Sequence, residues 1–95
     1  MEIRELLGDD QKRQVTRLIL EALPDWFGIA DAREEYIRES AGKPFFCAYD
    51  GERPIGFLYL KQTGRDTVEL YVMGVLKEFH RQGTGRALVN AAKRT

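Results

Sequence analysis

The sequence contains Val75-Leu76-Lys77-Glu78-Phe79-His80-Arg81-Gln82-Gly83-Thr84-Gly85-Arg86-Ala87-Leu88, in which an apolar run leads through two glycines into a helix-like pattern. Glycines allow backbone N–H groups to approach an anion closely. The start of a helix adds partial positive charge at the same place. This stretch therefore predicts a phosphate-binding loop at a helix N-terminus, with Gly83 and Gly85 at its centre.

Two common phosphate-binding loops do not fit this stretch. A Walker A loop needs Gly-Lys-Ser or Gly-Lys-Thr after its first glycine, and neither occurs in the chain. A dinucleotide-binding loop needs a third glycine early in a βαβ unit, where this chain has Leu88. The glycine pair alone leaves the identity of the anion open.

The residues before the loop predict three strands. Residues 67–76 carry apolar side chains on both faces, which is typical of a central strand covered on both sides. Residues 54–62 follow the hairpin signal Asp50-Gly51, and residues 45–49 are mostly aromatic and compact. Strands joined by such tight turns are antiparallel neighbours in a sheet.

The amino-terminal part predicts a short strand over residues 1–7 and then two helices. The first helix has apolar residues at helical spacing, namely Val15, Leu18, Ile19, Ala22 and Leu23. The second helix covers residues 31–39, with Ala32, Tyr36 and Ile37 facing inward. We expect aspartates to cap both helices, Asp9 or Asp10 the first and Asp31 the second. The order of strand, two helices, three strands and helix predicts an α+β (mixed α/β) domain, with an antiparallel or a mixed sheet.

The composition restricts the class of protein. The chain has 95 residues, 43% hydrophobic and 32% charged, which suits a single globular domain over residues 1–95. No apolar run approaches the ~20 residues that cross a membrane. The single cysteine, Cys47, excludes an internal disulfide and provides no metal-binding pair, so we expect no metal and a reducing, cytoplasmic location.

The formal net charge is zero but unevenly distributed. Residues 1–75 contain ten Lys or Arg and fourteen Asp or Glu, which gives −4. Residues 76–95 contain five basic residues and only Glu78 as an acid, which gives +4. A basic end around the glycine loop suits a polyanionic small molecule, although a cationic last helical turn would give the same pattern. Zero net charge disfavours nucleic acid as a partner.

The loop and the order of elements together resemble the GNAT superfamily of N-acetyltransferases. Its signature is Gln/Arg-x-x-Gly-x-Gly/Ala after a strand, and here the stretch from His80 to Gly85 matches it except that histidine occupies the first position. The family order, β1-α1-α2-β2-β3-β4-α3, agrees with the predicted order over nearly the whole chain. The resemblance implies the GNAT fold and binding of acetyl-CoA as co-substrate.

The resemblance also assigns roles to residues. The strand residues implied to pair with the pantetheine arm and hold the acetyl carbonyl are Met73, Gly74 and Val75. The loop residues implied to surround the pyrophosphate are Arg81, Gln82, Gly83, Thr84, Gly85 and Arg86. Glu69 stands where some members carry their general base, although it could equally be a solvent-facing strand residue. A glycine inside a strand marks a bulge or a close approach, and Gly74 suits the bulge of the family's fourth strand.

The implied activity is transfer of an acetyl group to a primary amine of a small molecule or protein, in which Trp26 and Phe27 either line the acceptor pocket or belong to the core. A non-catalytic acyl-CoA-binding module or an inactive fragment is the alternative. Family members usually run to ~150 residues, the commonest domain size. By resemblance, the chain lacks the C-terminal β5-α4-β6-β7 part, which leaves open a homodimer or completion by another chain.

Overall fold

The structure is a computed structural model that describes residues 1–94 and contains one four-stranded antiparallel sheet. The strands lie in the spatial order of the chain: β1 (Glu2–Leu6), β2 (Phe45–Asp50), β3 (Arg53–Gln62) and β4 (Val68–Val75). The helices are α1 (Asp9–Glu21), α2 (Ala30–Glu39) and α3 (Thr84–Lys93), with a short 3-10 turn at Lys77–Phe79. The predicted α+β class and the order β1-α1-α2-β2-β3-β4-α3 are confirmed.

The helices cover both faces of the sheet. A Cβ built on Gly74 would lie 3.1 Å from Ile19 Cγ2 of α1, whereas a Cβ built on Gly56 would lie 3.4 Å from Leu88 Cδ1 of α3. Gly74 pairs with Phe57, the neighbour of Gly56 along β3, so the two glycines face opposite sides. The layers are therefore α1 with α2, the sheet, and α3. The fully buried side chains between them include Ile19, Leu20, Phe45, Phe57, Tyr59 and Leu88.

Helix α1 buries a different arc from the one its apolar spacing predicts. Val15, Ile19 and Leu23 are buried as expected, but Leu18 is 51% exposed and Ala22 is also exposed. Their places are taken by Thr16, Leu20 and Lys12. The helix packs against both the sheet and α2, which turns its buried arc toward Thr16 and Leu20. On α2, Ile37 is buried and Tyr36 is half-buried as expected, whereas Ala32 is exposed.

The predicted aspartate caps are wrong. The N-cap residues are Gly8 for α1 and Ile29 for α2, and neither helix has a side-chain hydrogen bond at its cap. The aspartates lie one or two positions further in, inside the first turns, as Asp9, Asp10 and Asp31. There they complement the positive end of the helix but cap none of its N–H groups, and Asp9 Oδ1 accepts instead from the Gly42 N–H at 2.9 Å.

The predicted central position of residues 67–76 is also wrong, because β4 is an edge strand of this sheet. Its outward neighbours are absent from residues 1–94, and its exposed apolar side chains include Val68, Leu70, Tyr71 and Met73. Both faces of β4 carry apolar side chains, but contacts within residues 1–94 bury only part of them. The open edge of β4 forms one wall of the site described below.

The bulge in β4 lies at Tyr71 and not at Gly74. Tyr59 pairs with Val72 and Leu60 pairs with Leu70, so Tyr71 is the extra residue on β4. Gly74 pairs regularly with Phe57. The glycine is needed there for close approach, because a Cβ would lie within 3.1–3.4 Å of Ile19, Phe57 and Leu23. Gly74 therefore marks a close approach of neighbouring side chains to β4, and not a bulge.

Candidate functional site

The loop from His80 to Gly83 leads directly into α3. Gly83 is the N-cap residue with φ 82°, a left-handed conformation that favours glycine. Arg81 has φ 65° and is the one described residue other than glycine with positive φ. The N–H groups of Thr84, Gly85 and Arg86 belong to the first turn of α3, where the helix itself offers them no acceptor. The first helical bond runs from the Ala87 N–H to the Gly83 carbonyl, so the amides of residues 84–86 at the helix N-terminus can bind an anion.

Two side chains hold the loop in place. His80 Nε2 lies 2.7 Å from the Val75 carbonyl oxygen, so this nitrogen donates to the end of β4. The His80 ring packs edge-on against Trp26 with 5.4 Å between centroids. Gln82 Nε2 donates to the Glu78 carbonyl oxygen at 3.0 Å, which turns this side chain back onto the loop. The loop is thus fastened both to β4 and to the segment after α1.

The hydrogen-bond pattern of β4 leaves alternate backbone groups directed outward. The Leu76 N–H donates to the Ile55 carbonyl at 2.8 Å, so these residues form a hydrogen-bonded pair. Antiparallel strands alternate between bonded and non-bonded pairs, and in this register Gly74 bonds to Phe57. The N–H and C=O groups of Met73 and Val75 therefore point away from β3, toward the open edge.

A cleft of about 730 Å³ joins the edge of β4 to the loop. Its lining residues are Leu23, Trp26, Phe27, Met73, Gly74, Val75, Phe79, His80, Arg81, Gly83, Thr84, Gly85 and Arg86. Eight of the nine predicted cofactor-binding residues are among them, and Gln82 is not, because its side chain is turned back toward Glu78. Leu23 and Phe79 also line the cleft and were not predicted from the sequence. The sequence feature that could have indicated them is an apolar side chain next to a turn.

The charges around the cleft favour an anion. Arg81 and Arg86 line it and are exposed, while the nearby acid Glu78 does not line it. Glu78 is bonded to Arg53 at 3.0 Å. A hydrogen bond from its own backbone amide, followed by the bond from Arg53, keeps the pKa of Glu78 below its ordinary value. The negative charge of Glu78 is therefore paired with Arg53. No acidic residue lines the cleft beside Arg81 and Arg86.

Glu69 lies outside this cleft. It sits on β4 before the bulge, is exposed, and pairs across the sheet with Lys61. Lys61 shares a face with Tyr59 and Phe57, so Glu69 also lies on the α1–α2 face of the sheet. The structure does not bring this carboxylate next to the loop, and its catalytic role stays a prediction.

A substitution at Arg81 can distinguish the effect of its side-chain charge on binding from the effect of its backbone conformation on stability. Its left-handed φ costs a non-glycine residue about 1–2 kcal/mol. The Arg81→Gly variant should therefore gain up to about 1 kcal/mol of stability after the entropy cost of glycine, measured by urea unfolding. If the guanidinium also binds an anion, acetyl-CoA affinity should fall by several-fold in the same variant. A loss of stability would contradict the strained conformation of Arg81.

Two further kinds of site are absent from the described part of the chain. Among residues 1–94, no group of three or more His, Cys, Asp or Glu side chains could hold a metal ion. No helix within the same residues is long and apolar enough to cross a membrane.

The family profile of the Acetyltransferase (GNAT) family matches residues 3–95. The chain belongs to the GNAT family. The predicted resemblance is thereby confirmed over nearly the whole chain. Among curated proteins, no sequence matches the chain.

Solved structures share the fold of this GNAT chain. An aminoglycoside 6'-N-acetyltransferase complexed with coenzyme A superposes with a TM-score of 0.71 at 24% identity, over 99% of this chain and 54% of that one. PaiA N-acetyltransferase from Thermoplasma acidophilum, in complex with coenzyme A, gives 0.70 at 19% identity, over 99% and 71%. AAC(6')-Iy in complex with the bisubstrate analog CoA-S-monomethyl-acetylneamine gives 0.65 at 23% identity, over 98% and 69%. The chain thus spans about half the length of the first of these proteins.

Proposed function

We propose that this chain forms the acetyl-CoA-binding part of an N-acetyltransferase that transfers the acetyl group of acetyl-CoA to a primary amine. One observation carries the proposal: the outward backbone groups of Met73, the outward N–H of Val75 and the start of α3 at residues 83–86 line the same cleft. A row of backbone donors and acceptors suits a chain of amides such as pantetheine. The cluster of amides at the N-terminus of α3 suits a pyrophosphate.

Each part of the cleft has a distinct task in this proposal. The amides of residues 81–86 bind the pyrophosphate, with added charge from Arg81 and Arg86. The N–H and C=O groups of Met73 and the N–H of Val75 pair with the pantetheine arm, whereas the Val75 carbonyl is already bonded to His80. The apolar side chains of Leu23 and Phe79 exclude water from the arm. Acetyl-CoA itself supplies an activated acetyl thioester.

The amine has to reach the thioester in its neutral form, so a group must remove its proton. Glu69 is our candidate for this general base, either directly or through water. The Glu69→Gln variant should leave acetyl-CoA affinity unchanged and lower the rate by about 10²-fold or more, because general-base catalysis typically contributes 10²–10⁴-fold. Glu52→Gln, in the β2–β3 turn, is the matched control. An unchanged rate in Glu69→Gln would assign Glu69 to a structural role.

The experiment that tests the proposal is calorimetric titration with acetyl-CoA, followed by detection of released thiol with a panel of amines. Two of the solved structures with this fold are aminoglycoside 6'-acetyltransferases, which makes amino-sugar amines the first members of the panel. Binding followed by amine-dependent thiol release supports an enzyme. No binding of acetyl-CoA, either by this chain or by a longer form of it, would contradict the proposal.

A non-catalytic acyl-CoA-binding module is the second candidate. The observation that favours it is the position of Glu69 outside the cleft, which leaves no carboxylate among the lining residues. Binding of acetyl-CoA without thiol release on any amine would select this candidate. A single incomplete domain, a cytoplasmic location and assembly with a second chain stay predictions.

A further inference from the structure

The cleft has two parts that belong to different elements of the chain. The outward backbone groups of Met73 and Val75 lie on the edge of β4, whereas the amides of residues 84–86 lie at the start of α3. Residues 76–83, which we call the connecting segment, join the two parts. A ligand that uses both parts gains affinity over either of its halves only if the two parts are held at a suitable separation. The contacts that hold the connecting segment therefore influence how well a two-part ligand binds.

One side chain closes the connecting segment back onto β4. His80 Nε2 donates to the Val75 carbonyl oxygen at 2.7 Å, a bond that spans five residues and returns to the last residue of the strand. Between its ends, the Phe79 N–H donates to the Leu76 carbonyl oxygen at 2.9 Å and the His80 N–H donates to the Lys77 carbonyl oxygen at 3.1 Å. The His80 side chain is therefore a direct link from the segment before α3 to the edge of β4.

A second contact orients the His80 ring. Its edge packs against Trp26 with 5.4 Å between centroids and 74° between the ring planes. A carbonyl oxygen only accepts, so the bond to Val75 requires a proton on Nε2. The ring thus has one contact to β4 and one to the segment after α1, and both contacts depend on its orientation.

The other side-chain contacts of the connecting segment do not reach β4. Gln82 Nε2 donates to the Glu78 carbonyl oxygen, which lies within the segment itself. The Glu78 carboxylate pairs with Arg53 at the start of β3 at 3.0 Å, and the Arg53 guanidinium lies 5.7 Å from the centroid of the Phe79 ring. Within the described part of the chain, His80 supplies the one side-chain hydrogen bond between the connecting segment and β4.

We propose that His80 is a positioning residue that sets the separation between the edge of β4 and the N-terminus of α3. This inference rests on the proposed binding of acetyl-CoA and deepens it. His80 acts through Val75 and the connecting segment, and not through a contact with the ligand. Its loss should therefore weaken a ligand that uses both parts of the cleft, while each half of that ligand binds as before.

The test compares acetyl-CoA with its two halves, which are 3'-phospho-ADP for the start of α3 and S-acetylpantetheine for the edge of β4. Each is titrated into the wild-type chain and into His80→Ala and followed by backbone amide NMR. Where a half does not saturate, the initial slope of the shifts gives its relative affinity. We expect acetyl-CoA affinity to fall about tenfold in His80→Ala, a fraction of the roughly 10²–10⁴-fold gain that linked contacts provide. The affinities of both halves should stay unchanged.

Three further variants show whether the hydrogen bond to Val75 causes the effect. His80→Gln places an amide N–H near the position of Nε2 and should restore most of the acetyl-CoA affinity. His80→Asn is polar but too short to reach the Val75 carbonyl, so it should behave like His80→Ala. Gln62→Ala is the matched control, because it removes a similar bond from an exposed side chain, at 3.0 Å to the Arg65 carbonyl oxygen in the β3–β4 turn. It should bind acetyl-CoA as wild type does.

The outcomes separate this inference from the proposed function. Acetyl-CoA affinity that is equal to wild type in His80→Ala, or higher, would overturn the positioning role even if thiol is released with amines. An equal loss for S-acetylpantetheine would indicate direct contact with the arm, and an equal loss for 3'-phospho-ADP would indicate a disturbed α3; either result would also overturn it. Thermal melts monitor folding, and if His80→Ala unfolds, the difference between His80→Gln and His80→Asn decides. Absence of acetyl-CoA binding by the folded wild type would overturn the proposed function together with this inference.

Discussion

Replacing Gly83 with valine should lower the affinity for acetyl-CoA by about 100-fold or more, which corresponds to ~2.8 kcal/mol. Gly83 has φ 82°, a conformation in which a β-branched residue is an outlier. The new side chain would also stand among the amides of residues 81–86, where backbone has to meet phosphate. The measurement is calorimetric titration of wild type and variant with acetyl-CoA.

A matched control separates the loss of binding from the cost of backbone strain. Gly51 in the β2–β3 turn has φ 62° and, like Gly83, no atom within 4 Å of a built Cβ. Gly51→Val should therefore cost similar stability while binding acetyl-CoA as wild type does. If Gly83→Val keeps wild-type affinity while remaining folded, the loop is not the phosphate site.

The Gly74→Val variant should lose about 1–3 kcal/mol of stability, the usual cost of forcing extra methyl groups into a packed site. A Cβ at this position would approach Ile19, Phe57 and Leu23 at 3.1–3.4 Å, and the two Cγ atoms of valine would add to the crowding. For a domain of this size, 1 kcal/mol shifts the melting temperature by roughly 4–8 °C. Circular dichroism against temperature measures the effect.

Gly64→Val provides the comparison for this second prediction. Gly64 lies in the β3–β4 turn, and its built Cβ makes only ordinary contacts with Thr67 at 3.6 Å. Its melting temperature should stay close to that of wild type. A Gly74→Val variant as stable as Gly64→Val would show that α1 can move away from β4 without cost, and would contradict the close packing between these two elements.

The elements with short-range signals were predictable from the sequence. The hairpin at Asp50-Gly51, the helical spacing of α1 and the glycine pair before α3 depend on neighbours within a few residues, and each is present in the structure. The loop residues therefore came together in the cleft as the motif predicts, with Gln82 as the exception. The exception is itself local, since its side chain bonds to the carbonyl four residues earlier.

The features that were missed depend on contacts between distant parts of the chain. Nothing near Tyr71 marks it as a bulge, because the register shift arises from pairing with Tyr59 and Leu60 of β3. The requirement for glycine at position 74 comes from α1, some fifty residues earlier in the chain. The rings of Tyr36 on α2, Tyr59 on β3 and Tyr71 on β4 likewise come together in space, and no spacing in the sequence indicates that they meet.

The central claim, that acetyl-CoA binds along the edge of β4 and on the N-terminus of α3, is tested most directly by following backbone amide signals by NMR during titration with acetyl-CoA. The account predicts the largest shifts at the amides of Met73 and Val75 and at residues 83–86. The amide of Gly51, in a distant turn, should not move. Shifts that spare both the β4 edge and residues 83–86, or no saturable shift at all in a folded chain, would contradict it.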